Sequence, residues 1–322
     1  MNVLVVGGAG YIGSHMVRIL TRTNHTPIIF DNLSTGHKKL VPKNTAFFKG
    51  DLKNLPDIEK VFKKYKIDAV MHFAASALVG ESVADPLKYY ENNVLAFINL
   101  LNVMKSRKTR FLIFSSTCAI FGEPTKLPIQ EEDPKSPTHP YGWSKLMIEI
   151  ILKDVSARSG LRYAALRYFN ASGAHLDAET GEVHDPETHL IPNILKTLRG
   201  EKKPLTIFGD DYDTPDGTCV RDYIHIHDLC RAHLLALEAL KKGMKSDSFN
   251  LGTGHGHSVK EVVAMVEKVT GKKVPTRIVE RRAGDPAEIF ASSKKAGEVL
   301  GWKPKMDLEQ IIKTAWAWEK KQ

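Results

Sequence analysis

The first twenty residues constrain this chain most. An apolar run, Asn2–Val6, ends in Gly7-Gly8-Ala9-Gly10-Tyr11-Ile12-Gly13 and passes into a helical pattern over Ser14–Thr21. A short apolar run without polar alternation reads as a parallel strand buried on both faces. Glycines at three-residue intervals between such a strand and a helix let backbone amides approach a pyrophosphate, and the helix N-terminus adds partial positive charge there. This strand-turn-helix predicts a dinucleotide-binding α/β fold, with Gly7, Gly10 and Gly13 as candidate cofactor contacts. A second apolar run, Thr26–Phe30, leads directly into Asp31-Asn32. Asp31 follows Gly13 by 18 residues, about the separation at which an acidic side chain reaches the adenosine ribose. Its charge would repel a 2′-phosphate, so NAD is expected rather than NADP.

Further strands are predicted at Thr45–Lys49, Asp68–Phe73, Phe111–Phe114 and Leu161–Arg167, with helices at 57–65, Pro86–Ser106 and from Tyr141 to about Arg158. These complete six β/α units over residues 1–170 and imply a Rossmann-type doubly wound parallel sheet. Asp51 follows the third strand, where it could meet the adenine amino group. Phe73-Ala74-Ala75 ends the fourth with small residues that let a cofactor pass close to the backbone. Ser115-Ser116-Thr117 caps the fifth, where open α/β sheets place their chemistry. Asn92 and Asn93 lie inside a helical stretch although asparagine is an indifferent helix former; one is expected to hold a buried hydrogen bond and brace the next strand. The periodicity breaks after residue 170. Residues 171–190 are polar, and their acid content argues against a further central strand there. Helical stretches at 190–199, 227–241, 258–270 and 307–319 alternate with short strands. Residues 171–322 therefore read as a smaller, mixed α/β substrate lobe, some of whose later segments pack back on the cofactor domain.

Tyr141 and Lys145 stand four residues apart on the predicted helix, hence on one face and one turn apart. A free tyrosine titrates near pH ~10, and a neighbouring ammonium is expected to lower that value. Such a pair can move a proton to or from a sugar hydroxyl while a nicotinamide moves the hydride.

Composition removes several other functions. The chain has 322 residues, a formal charge of +9 and a pI of about 9.2. Its basic residues are scattered in short clusters such as Lys38-Lys39 and Lys202-Lys203, separated by acidic residues. They read as a solvated surface rather than a nucleic-acid-binding arm, and an anionic small substrate would benefit from the same field. No run of ~20 apolar residues suggests a membrane span, and Met1–Val6 lacks the basic region of a signal peptide. Three cysteines, Cys118, Cys219 and Cys230, without C-x-x-C spacing, are expected to be reduced thiols of a cytoplasmic protein. No metal is expected.

The glycine turn, Asp31, Ser115–Thr117 and Tyr141-x-x-x-Lys145 together resemble the extended short-chain dehydrogenase/reductase superfamily and, within it, the UDP-glucose 4-epimerase family. The similarity spans nearly the whole chain. It runs through Gly7–His15, His72–Ala75, Val79–Ser82, Tyr89–Asn93, Tyr141–Met147, Leu166–Asn170, Asp213–His227, Asn250–Gly252 and Arg281–Ala287. The segments around Arg221 and Arg282 are the most specific. The resemblance implies a tightly bound NAD that is reduced and re-oxidised within each turnover. Tyr141 would be the acid/base at the sugar's 4-hydroxyl, with Lys145 on the nicotinamide ribose and Thr117 on the 4-oxygen. It adds Tyr11, Ile12, Asn32, Leu52, Asn92, Ser115 and Phe169 to the cofactor contacts. It places Asn170, Arg221 and Arg282 near a UDP diphosphate, Leu190, Thr206 and Phe208 near the uridine, and Asp285 near its ribose. His189, at a position where the family varies, and Ile289 complete the substrate set. The long helix and the Tyr141 helix are the expected faces of a homodimer.

Departures from the family pattern bear on the sugar range. Ala77 stands where a lysine is common, and Phe121 where a tyrosine is common. Ile289 occupies the position that resembles the family's pocket gatekeeper. Its intermediate bulk favours UDP-glucose and UDP-galactose and leaves N-acetylated sugars open, as it does UDP-pentoses. A nucleotide-sugar 4,6-dehydratase would need an acidic pair after the strand-five threonine; here Thr117 is followed by Cys118-Ala119. A non-catalytic NAD sensor would have no use for Tyr141, Lys145 and Thr117 together.

Overall fold

The computed structural model describes residues 1–322 except Ala283, a position inside the matched Arg281–Ala287 segment that lies outside the described residues. The first half runs β1 (Asn2–Val6), α1 (Tyr11–Thr21), β2 (Thr26–Asp31), β3 (Ala46–Lys49), α2 (Leu55–Lys64), β4 (Ala69–His72), α3 (Val79–Ala84), α4 (Pro86–Tyr89), a π-helical turn (Tyr90–Leu95), α5 (Ala96–Ser106), β5 (Phe111–Ser115), α6 (Pro140–Ser159) and β6 (Arg162–Arg167). The second half runs β7 (Asn170–Ser172), α7 (Leu190–Leu198), β8 (Leu205–Phe208), β9 (Val220–Arg221), β10 (Tyr223–His225), α8 (Ile226–Lys241), β11 (Asp247–Asn250), β12 (His257–Ser258), α9 (Val259–Thr270), β13 (Thr276–Val279), β14 (Glu288–Ile289), α10 (Lys294–Leu300) and α11 (Leu308–Glu319).

Seven strands form the main sheet in the order β11-β6-β5-β4-β1-β2-β3, and every pairing is parallel. Alternate side chains of each strand enter opposite cores, as the pleat requires. Val3, Val5, Ile29, Met71 and Ile113 meet Met16, Val17 and Leu20 of α1 and Leu229 and Leu237 of α8. Leu4, Val6, Ile28, Val70 and Leu112 meet α2, α5 and α6 through Ile58, Phe62, Phe97, Leu100, Ile148 and Leu152. The strand order reverses direction between β1 and β4, and the crevice beyond their C-terminal ends is where such sheets bind ligands.

The expected doubly wound sheet is present, with two differences in detail. Its seventh strand, β11, comes from beyond residue 170 and pairs with β6. Asp247-Ser-Phe-Asn250 carries one apolar residue and no alternation, so it had no strand signature. The expected single helix over Pro86–Ser106 is interrupted by the π turn, a local widening that recurs at functional sites. Within that turn Asn93 is buried. Its Oδ1 accepts from the Ser76 amide (2.8 Å), and its Nδ2 donates to the Ser76 carbonyl (3.0 Å) and the Ser144 hydroxyl (3.0 Å). Asn93 thus braces the segment after β4 against α6, rather than the following strand. The later elements build a third core from Ile191, Ile194, Leu195, Ile207, Val262, Val266, Ile311 and Ile312.

The glycine turn is closed by contacts that only glycine permits. A Cβ on Gly7, whose φ is +79°, would lie 2.6 Å from the Ala74 nitrogen, and one on Gly13 would collide with the Gly7 carbonyl. At Gly10 the nearest atom would be 3.4 Å away. Gly13→Ala is therefore expected to lower stability by about 1–3 kcal/mol, and Gly10→Ala by distinctly less, in urea unfolding. Equal losses at the two positions would contradict this packing.

Candidate active site

The turn that opens α1 leaves its first amides free: the N-cap Gly10 supplies no side-chain cap, and the first turn holds no acid. These groups suit an anion, and the absence of Cβ atoms at Gly7 and Gly13 lets it come close. Asp31 sits beside them, buried, with Oδ2 accepting from the Ala9 amide (2.9 Å) and Oδ1 from the Leu33 amide (2.8 Å). One carboxylate thus ties the end of β2 to the glycine turn. Asn32 donates to the Asp51 carboxylate (3.1 Å), which joins two of the expected adenosine contacts, while Leu52 is buried in the core. Phe73 and Ala74 both donate their amides to the Val6 carbonyl (2.8 and 3.2 Å), so β4 ends against the turn. The Tyr11 hydroxyl is taken by the Gly173 carbonyl (2.6 Å). Asn92 donates to the Ser76 hydroxyl (3.1 Å).

The candidate reacting groups lie where β5 ends and α6 begins. Pro140 begins α6, and His139 caps it by accepting from the Gly142 amide (3.2 Å). A Cβ at Gly142 would lie 2.9 Å from the Ala119 carbonyl, so a glycine beside Tyr141 lets the helix approach the turn that carries Thr117. The Thr117 oxygen accepts from the Ala119 amide (3.1 Å), leaving its own proton for another acceptor. Lys145 is buried; its Nζ donates to the Ser115 carbonyl (2.8 Å) and lies 4.9 Å from the centre of the Phe114 ring. The Ser115 hydroxyl bonds to the Tyr168 hydroxyl.

The electrostatics correct one expectation. The net effect of the protein is not to lower the Tyr141 pKa. Burial pushes it up to about 12, Thr117 pulls down and Cys118 pushes up, and Lys145 is not among the causes. Burial also brings Lys145 down to about 7, with Glu149 opposing. For both groups burial disfavours the charged form.

Support comes from residues that are not among the candidate site residues. Arg167 grips Glu149 with two bonds, Nε to Oε1 at 3.0 Å and Nη2 to Oε2 at 2.6 Å, and the Ser116 hydroxyl donates to the same carboxylate at 2.6 Å. Glu149 lies one helical turn beyond Lys145, a spacing visible in the sequence; its partner Arg167 is not visible that way.

On the far wall, β9 brings Arg221 into register with Ile289 of β14. Ile289 is buried among Cys118, Leu146 and the edge of Phe169, next to the catalytic turn. Arg221 Nη2 lies 3.4 Å from Asp285 and has no hydrogen-bond partner among the described residues. The Arg282 guanidinium stacks 3.8 Å from the centre of the Phe208 ring. Thr206 accepts from Arg277 (2.8 Å). Asn170 donates both its backbone amide and its Nδ2 to the Asp222 carbonyl. Leu190 begins α7. His189 turns instead toward Glu182 and Glu187.

Asp222, missed in the sequence, organises this wall. Its carboxylate accepts from the Thr253 hydroxyl (2.7 Å) and from the Thr253 and Ala291 amides. Burial outweighs these bonds and raises its pKa from 3.8 to about 6. Between those values the folded protein holds a proton that the unfolded chain has released, so stability falls as pH rises through that window. Asp222→Asn removes this dependence. Relative to the parent, the variant should gain on the order of 2 kcal/mol between about pH 4 and about pH 7, measured by denaturant unfolding at both. A constant difference would refute the buried proton.

The NAD dependent epimerase/dehydratase family profile matches residues 3–252. The chain is 51% identical over 321 residues to the UDP-glucose 4-epimerase of Lactobacillus helveticus, covering 99% of this chain and 97% of that protein. A crystal structure of a UDP-glucose 4-epimerase superposes with a TM-score of 0.98 at 48% identity, over 100% of this chain and 98% of that one. The UDP-glucose 4-epimerase of Brucella ovis in complex with NAD superposes with a TM-score of 0.95 at 50% identity, over 98% and 97%.

Proposed function

This chain belongs to the NAD dependent epimerase/dehydratase family, and we propose that it interconverts UDP-glucose and UDP-galactose, using NAD to invert the sugar at C4. The observation that carries this reading is the convergence of Thr117, Tyr141 and Lys145 beside the glycine turn, with Arg221 and Arg282 on the wall opposite. NAD supplies the hydride acceptor and a positive charge that favours ionised Tyr141. Tyr141 would take the proton of the 4-hydroxyl while NAD accepts the C4 hydride, and would return that proton to the 4-oxygen as the same hydride is given back to the other face of C4. Thr117 donates to that oxygen. Lys145 holds the nicotinamide ribose.

A sugar that must turn over cannot be gripped firmly, so the anchor lies on the UDP. Arg221 offers a buried Nη2 with no hydrogen-bond partner among the described residues, and the Arg282 guanidinium lies over the Phe208 ring; the two suit a diphosphate. Asn170 adds a polar contact to the phosphates. Leu190, Thr206 and Phe208 form the uridine side, Asp285 meets its ribose and His189 lies at the rim. In this reading residues 1–170 hold NAD through Gly7, Gly10, Tyr11, Ile12, Gly13, Asp31, Asn32, Asp51, Leu52, Phe73, Ala74, Ala75, Asn92, Ser115 and Phe169, and residues 171–322 hold the UDP-sugar. Ile289 limits the volume beside C2 and C6.

Mixing the purified protein with UDP-galactose, without added NAD, should yield UDP-glucose, and faster than UDP-N-acetylgalactosamine or UDP-arabinose is converted. Tyr141→Phe should lower kcat by roughly 10²–10⁴ with NAD still bound. Full activity in that variant would refute the acid/base assignment, and failure to convert any UDP-sugar with NAD bound would favour a sensor.

An apolar patch formed by Trp143, Met147 and Ile150 of α6 with Val83, Leu87 and Leu95 lies exposed, and supports a homodimer through this face. Ile150→Glu should convert the protein from dimer to monomer in light scattering; an unchanged mass would remove the face from consideration. Among the described residues no helix is long and apolar enough to cross a membrane. All three cysteines are free thiols, which fits a cytoplasmic protein.

A further inference from the structure

The connection between β7 and α7 brings four metal-ligating side chains to one point. Glu182, His184, Glu187 and His189 each offer one atom, and these atoms all lie within 4.8 Å of one another. Individual separations are 3.3 Å for His184 Nδ1 to Glu182 Oε1, 3.6 Å for His184 Nδ1 to Glu187 Oε2, 3.5 Å for His189 Nδ1 to Glu187 Oε1 and 2.6 Å for His189 Nδ1 to Glu182 Oε1. Bonds of about 2.0–2.1 Å in a tetrahedral site put ligand atoms about 3.3 Å apart. Among the atoms left free to ligate, the separations from His184 Nδ1 to Glu182 Oε1 and to Glu187 Oε2 are close to this length, and the 2.6 Å His189–Glu182 contact must open.

The directions of these groups matter as much as the distances. The two carboxylates are almost fully buried, with side-chain exposures of 6% and 1%. Glu182 Oε1, His184 Nδ1 and Glu187 Oε2 have no hydrogen-bond partner among the described residues, although oppositely charged atoms stand at ion-pair distance. Atoms this close that do not point at one another can share a centre between them. Glu187 is also oriented from behind: its Oε1 accepts from the Thr188 and His189 amides, both at 2.9 Å, which leaves Oε2 for the cluster. Fixed outer contacts of this kind accompany metal-binding carboxylates. Two imidazoles and two carboxylates would neutralise a divalent cation without burying net charge.

We propose that Glu182, His184, Glu187 and His189 form a structural zinc site. Imidazole and carboxylate donors suit Zn²⁺. The site lies against α1, where the rings of His184 and Tyr11 meet edge to face with centroids 6.3 Å apart, and it ends at His189, the residue that precedes α7. A bound ion would tie the polar segment to both helices. The E-x-H-x-x-E-x-H spacing is no established zinc pattern in a sequence; folding brings its ligands together.

The test uses the full-length, tag-free protein, stripped with a chelator, titrated with Zn²⁺ and desalted. We expect about one zinc retained per chain and a higher Tm with zinc present. His184→Gln and Glu182→Gln should each weaken binding by more than ~10-fold. His255→Gln should leave it unchanged; that residue belongs to a different histidine pair, His255 and His257, with ring centroids 5.2 Å apart. Substitution with Co²⁺ should give the strong visible absorption of a four-coordinate ion, which needs no variant and therefore decides the matter even where His184→Gln folds poorly. Zinc lost on desalting, unchanged affinity in a folded His184→Gln, dependence on His255, or the weak spectrum of six-coordinate Co²⁺ would each overturn the site and leave a metal-free histidine–glutamate quartet.

Discussion

Glu149 and Arg167 form a buried, two-pronged ion pair that fixes α6 against the end of β6. The placement of Tyr141, Lys145 and Thr117 follows from it. Tyr141 and Lys145 lie on the same helix as Glu149, two turns and one turn before it, and the third partner, Ser116, precedes Thr117 directly. One carboxylate therefore sets the helix, the strand end and the threonine relative to one another. Such a pair adds little net stability, because taking both charges out of water offsets their attraction. Removing one partner leaves the other charged and buried, at about 3–5 kcal/mol. The geometry is thus enforced more by what breaking the pair would cost than by what forming it contributes.

The site held in this way is buried. Burial drives Tyr141 toward its phenol and Lys145 toward its free amine. The sequence pair alone suggests the opposite for Tyr141, since four-residue spacing on a helix brings an ammonium near a phenol. It leaves out that Lys145 Nζ is directed to the Ser115 carbonyl and that burial disfavours a phenolate. In the proposed reading the balance of charge would then depend on the ligands, a cationic nicotinamide on one side and an anionic UDP near Arg221 on the other.

What the sequence made legible was local. The glycine turn, its strand and its helix follow from backbone conformation and periodicity within twenty residues, and α6 was readable almost to its last residue because a proline opens it and Gly160, at φ +70°, closes it. The π turn was not readable, since it belongs to a contact between Asn93 and Ser76 seventeen residues away. Glu149, Asp222 and β11 escaped for the same reason: their partners lie 18 to 83 residues distant along the chain. His189 was assigned by resemblance to the nucleotide, and its nearest charged neighbours proved to be two glutamates of its own loop.

The origin of β11 has a consequence in time. The edge of β6 stays open until residue 247 exists, and the face under α1 keeps Met71, Ile113 and Leu166 uncovered until α8 arrives. A ribosome delivers these segments well after the other six strands of the sheet. The nascent chain must therefore carry a nearly finished sheet with one bare edge and one half-covered face, the combination most open to pairing with a neighbouring chain. Folding here is completed late in synthesis, by residues that take no part in the chemistry.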